Sequence, residues 1–424
     1  MKRIRLLQLF KIIGYEDRQV ETQHIILWLN FFYVNCGRFG CYMCALFSNQ
    51  NLLSFKKDLE AHKQMILFVG AGINCSPGVH LLWDDILNYL MDRVIHQMGM
   101  KHNADAKTVW SVNAIFKGRP GGFKTVEELE SWFHIYKSSH SAISYTSKAF
   151  IIKSVLGDKY IPTLQYYIYK ECNQFLLKEE FEKHYTLSNL KKQSTTEGLP
   201  FYTLYQLARM VILCPQIKAI VTYNYDNFLT RAISILWRDR SHYFTQEELA
   251  SIERCRSELH ISDIFGNSYD DSKTDENLFV YHVHGYIPSP VEVARLSESR
   301  IVLSMDEYND LSTQFYSWQI ATQIHFLNHY TCIFAGSSVS DETTQRMLHY
   351  VRLSGNKDRL YYLTADTAYK EQSYIKDWKL VNEIKMDYYQ SLGLTPIVSD
   401  EGYGALYRDL VDLCSRIQVE KCRF

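Results

Sequence analysis

The feature of this 424-residue chain that most constrains its fold is an apolar run that ends in a glycine turn, residues 65–72, MILFVGAG. A short, unbroken apolar run closed by glycines is typical of a buried strand in a parallel sheet. Apolar residues then recur at helical spacing over about 81–95, so the stretch predicts a strand, a turn and a helix. Backbone N–H groups at such a turn suit a phosphate. Alone, the pattern fits a structural turn equally well, because Cys75 replaces the third glycine of a dinucleotide fingerprint.

The rest of the chain alternates between predicted strands and predicted helices. Apolar runs predict further strands at 217–222, 279–283, 301–303, 332–335, 360–363 and 396–398. Helical spacing predicts helices at 52–63, 204–213, 311–328, 342–353 and 405–417. This alternation indicates an α/β fold, namely a Rossmann-like doubly wound parallel sheet with helices on both faces.

Two segments stand outside this alternation. Residues 103–199 carry helical signals without a strong strand and end in a Gly-Leu-Pro linker, so we predict a helical insertion there. Residues 1–50 form an N-terminal segment to which the sequence assigns no role. Its apolar stretch at 25–47 is interrupted by Arg38, which argues against a membrane-spanning helix. We therefore predict one domain over 51–424 that carries the insertion.

Composition and cysteine spacing narrow the function classes. A formal net charge of −1 gives no general electrostatic case for nucleic-acid binding. Of the 10 cysteines, Cys41 and Cys44 have the spacing of a metal or redox site, and no second pair has the same spacing. We therefore predict no metal site. No clear secretion signal precedes these cysteines, which favours reduced thiols and a cytoplasmic location.

Small or polar clusters follow four of the predicted strands. They are GAG at 70–72, TYNYDN at 222–227, HVHG at 282–285 and GSSVSD at 336–341. Ligands bind at the carboxyl ends of strands in open parallel sheets. We therefore expect Gly72, Asn224, His284 and Gly336 to line one cavity.

Each cluster also has a purely structural interpretation. Asn224 and Asp226 fit a turn or a helix cap, and the glycine and serines at 336–338 fit an ordinary strand-to-helix turn. His284 fits a hydrogen-bonded core histidine. Because His282 and His284 alternate along a strand, both are expected on one face, which permits two metal ligands but supplies no third.

Taken together and in this order, the four clusters resemble the sirtuin family. The closer likeness is to the sirtuin-like, NAD-hydrolysing branch found in prokaryotic antiphage defence systems. Trp83, the Ser-x-x-Glu-Tyr motif at 304–308 and the Ser-x-Ser-Asp motif at 338–341 also resemble that branch. The resemblance covers about 60–102 and 200–417.

The sequence departs from the deacylating sirtuins at two places. Those proteins carry a Pro-x-Phe-Arg element after the first glycines, whereas here Pro77 leads to Leu82-Trp83-Asp84 without an arginine. They also carry a zinc ribbon of two cysteine pairs after the histidine. The cysteines that follow His284 do not form such pairs; they are Cys332, Cys414 and Cys422. Both departures disfavour protein deacylation and leave the NAD site in place.

The resemblance implies that NAD lies across the sheet edge as the substrate. It assigns cofactor binding to Gly70, Ala71, Gly72, Thr222, Gly336, Ser337 and Ser338, and catalysis to Asn224, Asp226 and His284. The glycine turn would hold the pyrophosphate through backbone N–H groups. The Gly-Ser-Ser turn would line the adenosine side, and the three catalytic residues would surround the nicotinamide ribose.

The implied reaction cleaves the bond between nicotinamide and ribose, giving nicotinamide and ADP-ribose. Its transition state resembles an oxocarbenium ion, which Asp226 or the Asn224 carbonyl would stabilise. Asn224 would also position water, and His284 would act as the general base. His282 lies further from the sheet edge, so we expect it to matter less. The sequence does not choose between hydrolysis and cyclisation.

Two other classes of function remain open from the sequence. One is a sensor that binds NAD or ADP-ribose without turnover, and the other is a protein deacylase or ADP-ribosyltransferase. An NAD-depleting enzyme must also be held inactive until it is needed. We therefore expect a homo-oligomer or a regulatory partner protein, with the insertion and the N-terminal segment as candidate contact surfaces.

Overall fold

A computed structural model describes residues 51–75, 81–99, 145–171, 174–191, 198–265, 277–290, 301–313, 317–355, 360–365 and 378–421. The predictions made for residues 1–50, including Cys41 and Cys44, lie outside these ranges. So do Pro77 and residues 103–144 of the predicted insertion.

The described residues form one seven-stranded sheet in which every pairing is parallel. The strands are β1 (Met65–Val69), β2 (Ile217–Thr222), β3 (His260–Ile264), β4 (Asn277–His282), β5 (Thr331–Ala335), β6 (Leu360–Ala365) and β7 (Thr395–Ser399). Their order across the sheet is β3-β4-β2-β1-β5-β6-β7. This arrangement confirms the predicted α/β fold class.

Helices cover the sheet and join its strands. They are α1 (51–60), α2 (Trp83–Gly99), α3 (Tyr145–Leu156), α4 (Tyr160–Glu171), α5 (Gln174–His184), α6 (Leu187–Leu190), α7 (Tyr202–Leu213), α8 (Phe228–Arg238), α9 (Gln246–Cys255), α10 (Met305–Thr313), α11 (Trp318–His329), α12 (Glu342–Leu353), α13 (Trp378–Ser391) and α14 (Tyr403–Lys421). Short 3-10 turns lie at Ala71–Asn74, Gly157–Lys159 and Arg240–His242.

Strand β1 is central because it is apolar on both faces. Leu67 belongs to one core cluster and Phe68 to the other, and both side chains are fully buried. Burying both faces of a strand requires helices above and below the sheet, which the connections between parallel strands supply. The chain builds β2, β3 and β4 on one side of β1 and β5, β6 and β7 on the other. The strand order therefore reverses between β1 and β5, where open α/β sheets form their binding crevice.

The described part of the predicted insertion is helical and lies against the loops that follow β4. Tyr169 on α4 donates its hydroxyl proton to the Ile287 carbonyl at 2.7 Å. Lys153 on α3 contacts Glu307 of α10 at 2.8 Å. These bonds fix α3 and α4 beside the carboxyl edge of the sheet.

The structure corrects two strand predictions. Residues 301–303 are not a strand; instead, the Val302 amide donates to the His284 carbonyl at 2.8 Å as the chain crosses the sheet edge. Strand β3 was not predicted, because its sequence HISDI is short and half polar. It pairs with β4 at the edge of the sheet, where a polar face is tolerated.

Candidate active site

The glycine turn after β1 packs directly against the glycine turn after β5. The Gly70 amide donates to the Ala335 carbonyl at 3.0 Å, and the Gly72 amide donates to the Gly336 carbonyl at 2.8 Å. A Cβ atom added at Gly72 would lie 2.7 Å from the Gly336 oxygen. Gly336 itself has φ +62°, a conformation that favours glycine. Glycine is therefore required here by close contact between two backbones.

This contact changes the role predicted for the first turn. The resemblance assigned the N–H groups of Gly70, Ala71 and Gly72 to a pyrophosphate, but those of the two glycines donate to carbonyls at the end of β5 and in the turn that follows it. In this conformation neither N–H group is free for a phosphate. The two turns instead form a rigid floor at the point where the strand order reverses. Ala71, which lies between the glycines, lines the adjacent pocket.

The loop after β2 is tied to this floor through Asn224. The Asn224 amide side chain donates to the Gly70 carbonyl at 3.3 Å, and its backbone N–H donates to the Thr222 hydroxyl at 3.0 Å. Thr222 and Asn224 are both buried. Thr222 thus shapes the loop, and its contact with NAD stays a prediction.

Asp226 is half-buried and accepts two hydrogen bonds. One comes from the Phe228 backbone N–H at 3.0 Å, at the start of α8, and the other from the Asn74 side chain at 2.8 Å. Burial raises the pKa of Asp226, while both hydrogen bonds and the nearby His282 act in the opposite direction. Asn74 was not among the predicted site residues. Its role could not be read from the sequence, because it depends on the first turn meeting the loop after β2.

His284 is buried between two tyrosines. Its ring centroid lies 5.0 Å from that of Tyr223, and its Nδ1 lies 3.4 Å from the Tyr308 hydroxyl. Burial lowers the pKa of His284, and the charge of Asp341 partly opposes this. A lowered pKa keeps the imidazole neutral near pH 7, as a general base requires.

The two histidines of the HVHG cluster do not share surroundings, which corrects the prediction that they lie on one face. Strand β4 ends at His282, so side-chain alternation stops there. His282 contacts Asp263 at 2.9 Å, whereas His284 packs on Tyr223 and Tyr308, which belong with the opposite core cluster. This arrangement therefore does not place the two histidines to bind one metal ion.

The Gly-Ser-Ser turn leads into the N-terminus of α12. The Ser337 hydroxyl accepts from the Val339 backbone N–H at 3.3 Å, and the hydroxyls of Ser338 and Ser340 lie 2.6 Å apart at the surface. Asp341 caps α12 by accepting from the Thr344 N–H at 2.7 Å. The two serine side chains predicted to line the adenosine thus remain at the same sheet edge as Asn224.

A pocket lies between the first turn, the loop after β2 and the insertion. Its lining is Ala71, Asn74, Leu81, Trp83, Ile86, Ile168, Tyr223, Asn224, Tyr225 and Asp226. Of the four residues expected to share one cavity, Asn224 lines this pocket. Gly72, Gly336 and His284 lie outside its lining. His284 contacts the ring of Tyr223, which does line the pocket.

Residues 218–382 match the family model described as the SIR2-like domain. Over these residues the chain is similar to the SIR2-like domain. The match spans β2 to the start of α13 and includes Asn224, Asp226 and His284. Strand β1 and its glycine turn precede the matched residues but complete the same sheet. No curated protein matches the chain.

The SIR2-like domain confirms the family resemblance drawn from the four clusters. SIR2-like domains use NAD, so the match supports an NAD-related activity in general. Over the part of the chain that the structure describes, no three His, Cys, Asp or Glu side chains are placed to share a metal ion. In that same part, none of the helices is long and apolar enough to cross a membrane.

Proposed function

We propose that the protein is an NAD glycohydrolase, which cleaves NAD between nicotinamide and ribose to give nicotinamide and ADP-ribose. The observation that carries this proposal is the placement of Asn224 and Asp226. Both line an otherwise largely apolar pocket at the carboxyl edge of the SIR2-like sheet, beside the contact between Tyr223 and His284.

The pocket suits the nicotinamide ring. Its walls include Trp83, Ile86 and Ile168, which offer apolar surface to a flat heterocycle. Asn74, Asn224 and Asp226 provide a few polar groups among these walls, which is the usual composition of a small-molecule site. The ribose would then lie toward Ala71 of the first turn, which lines the same pocket.

Asp226 supplies the negative charge that the reaction needs. Breaking the nicotinamide–ribose bond builds positive charge on the ribose. A carboxylate already oriented by the Asn74 amide and the Phe228 N–H stabilises that charge without reorganising. Its partial burial strengthens the interaction, because fewer water molecules screen it.

His284 and Asn224 would handle the nucleophile. A neutral imidazole accepts a proton from water or from a ribose hydroxyl as the new bond forms. When the Nδ1–H group of His284 donates to the Tyr308 hydroxyl oxygen, Nε2 is the unprotonated nitrogen that can accept the proton. Asn224, anchored to Gly70, would hold the water or the ribose in line.

The deciding experiment is to incubate the purified protein with NAD and to separate the products by chromatography. We expect equal amounts of nicotinamide and ADP-ribose. Formation of nicotinamide and cyclic ADP-ribose would show that the protein cyclises NAD, and would contradict hydrolysis. Unchanged NAD that nevertheless raises the melting temperature of the protein would support a sensor and contradict the proposal.

We further propose that this activity depletes NAD as an effector in antiphage defence, under the control of self-assembly or a partner protein. The support is the resemblance of the four clusters to that branch of sirtuin-like proteins. The test compares cells that carry the wild-type protein or its His284→Ala variant during phage infection. Loss of cellular NAD with the wild type alone is expected, and equal NAD levels would contradict the effector role.

A further inference from the structure

A buried histidine–carboxylate pair lies directly behind the loop that carries Asn224 and Asp226. His282 at the end of β4 is 1% exposed, and its Nε2 lies 2.9 Å from Oδ1 of Asp263 on β3. The same Oδ1 accepts the hydroxyl proton of Thr230 on α8 at 3.0 Å. Asp263 is therefore oriented from two sides, and it orients His282 in turn.

The second ring nitrogen of His282 faces the loop. Its Nδ1 forms a long hydrogen bond of 3.4 Å with the backbone carbonyl of Asn224. A carbonyl and a carboxylate only accept hydrogen bonds. Both contacts are therefore hydrogen bonds only when each ring nitrogen carries a proton. Both hydrogen bonds form when the His282 ring is a positively charged imidazolium with Asp263 as its counter-ion.

That positive charge also acts on Asp226. Burial raises the pKa of Asp226, and His282 is the charged residue that offsets this. The other groups that face the carboxylate are neutral donors, the Asn74 side chain and the Phe228 N–H. On its remaining side the His282 ring packs against Tyr286, with ring centroids 4.7 Å apart.

We propose that Asp263 and His282 are positioning residues for NAD cleavage, which hold the loop that carries Asn224 and Asp226. This inference rests on the proposed function, because it assigns roles toward the same reaction. It gives His282 a specific role in the reaction, which the sequence did not assign to it, although the expected loss stays smaller than that for His284. It also gives a function to β3, which the sequence motifs did not include.

The alternative is that the pair only fills the core between β3, β4 and α8. The two explanations differ in how activity depends on pH. If His282 only packs, replacing its charge lowers activity by the same factor at every pH. If its charge keeps Asp226 ionised, removing that charge raises the pKa of Asp226, and more Asp226 is protonated as the pH falls. The loss relative to wild type then grows toward acid pH.

The experiment compares Asp263→Asn and His282→Gln with the wild-type protein. Gln keeps a donor toward Asp263 without the charge. Asn removes the carboxylate that pairs with His282 and keeps a side chain of the same size. The measurement is kcat/KM for nicotinamide release from NAD, from about pH 5 to about pH 8, which spans the range in which histidine titrates. We expect a loss of about tenfold to a hundredfold at neutral pH, and a larger loss at the acid end.

The matched control is His260→Gln, since His260 also lies on β3 and pairs with a carboxylate, Glu258, but at the surface. It should retain wild-type activity at every pH. Should a main variant fail to fold, Thr230→Val against Thr230→Ser tests the same network, with loss expected only for Val. A pH-independent loss in folded variants overturns the inference alone. A wild-type protein that releases no nicotinamide overturns the proposed function, and the inference with it.

Discussion

Asn224 and His284 are both buried, yet they sit in different surroundings. Asn224 is joined to the glycine floor through Gly70, whereas His284 is enclosed by tyrosines at the far side of Tyr223. In the proposed mechanism the two residues therefore have separable functions, one for holding reactants and one for moving a proton. Single substitutions at each should stop turnover for different reasons.

We expect Asn224→Ala and His284→Ala each to lower the rate of nicotinamide release by about a hundredfold to ten-thousandfold, the range typical of a lost general base. Neither residue lies within the apolar strands, so both variants should fold. Nicotinamide release and thermal melting are the two measurements. His349→Ala, at an exposed position on α12, is the histidine control. Near-normal release by folded His284→Ala would mean that another group accepts the proton.

At the scale of elements, the contact between the turns after β1 and β5 decides how the sheet edge is built. Gly72→Ala would bring a Cβ within 2.7 Å of the Gly336 oxygen and 2.9 Å of its Cα. Backbone atoms cannot move aside as a flexible side chain does. We therefore expect the free energy of unfolding to fall by about 1–3 kcal/mol, as for other overpacked sites, measured by urea denaturation.

Gly198→Ala is the matched control for that substitution, because a Cβ there meets nothing within 4 Å. Its effect on the free energy of unfolding should stay within about 0.5 kcal/mol. Equal stability of the two variants would show that the turns separate easily. In that case the Gly70 and Gly72 amides would again be available to a phosphate, as the sequence had suggested.

The elements that sequence patterns predicted are those whose burial is uniform. Strands β1, β2 and β5 are apolar almost throughout, and their bounds agree with the prediction within about one residue. Strand β3 was not predicted because an edge strand buries little apolar surface, and its Ser262 and Asp263 interrupt the apolar pattern. Residues 301–303 gave the opposite error, since three buried apolar residues there cross the sheet edge without pairing.

The site was predictable where it depends on strand ends and not where it depends on contacts between distant segments. Asn224, Asp226 and His284 follow apolar runs, so their meeting at one edge follows from a parallel sheet. The contacts of Asp226 with Asn74 and of His282 with Asp263 join parts of the chain that no local pattern relates. The separation of His282 from His284 also escaped prediction, because it depends on where β4 ends.

At the scale of the whole molecule, the insertion contributes residues directly to the candidate site. Ile168 on α4 forms part of the pocket wall. Lys153 on α3 reaches Glu307 at 2.8 Å and Asp306 at 3.1 Å, next to Tyr308, which contacts His284. Movement of the insertion would therefore displace both the pocket wall and the residues beside the proposed base, His284.

We expect Lys153→Met to loosen the insertion without unfolding the protein. The Lys153 side chain is 35% exposed, and ion pairs of this kind contribute about 0–1 kcal/mol, so the change in melting temperature should be small. Amide hydrogen exchange should nevertheless speed up in peptides that cover α3 and the start of α10, because their joint contact is lost. Exchange in β1 and β2 should not change, since both strands belong to the core.

Lys178→Met is the control, because Lys178 pairs with Glu182 within α5 and bridges no other element. It lies in the same insertion and removes the same charge, yet it should leave exchange in α10 unchanged. If both lysine variants speed up exchange in α10 equally, the effect comes from the overall charge of the insertion. If neither does, the docking of the insertion depends on the buried Tyr169 hydroxyl and its bond to Ile287, and the ion pair is dispensable.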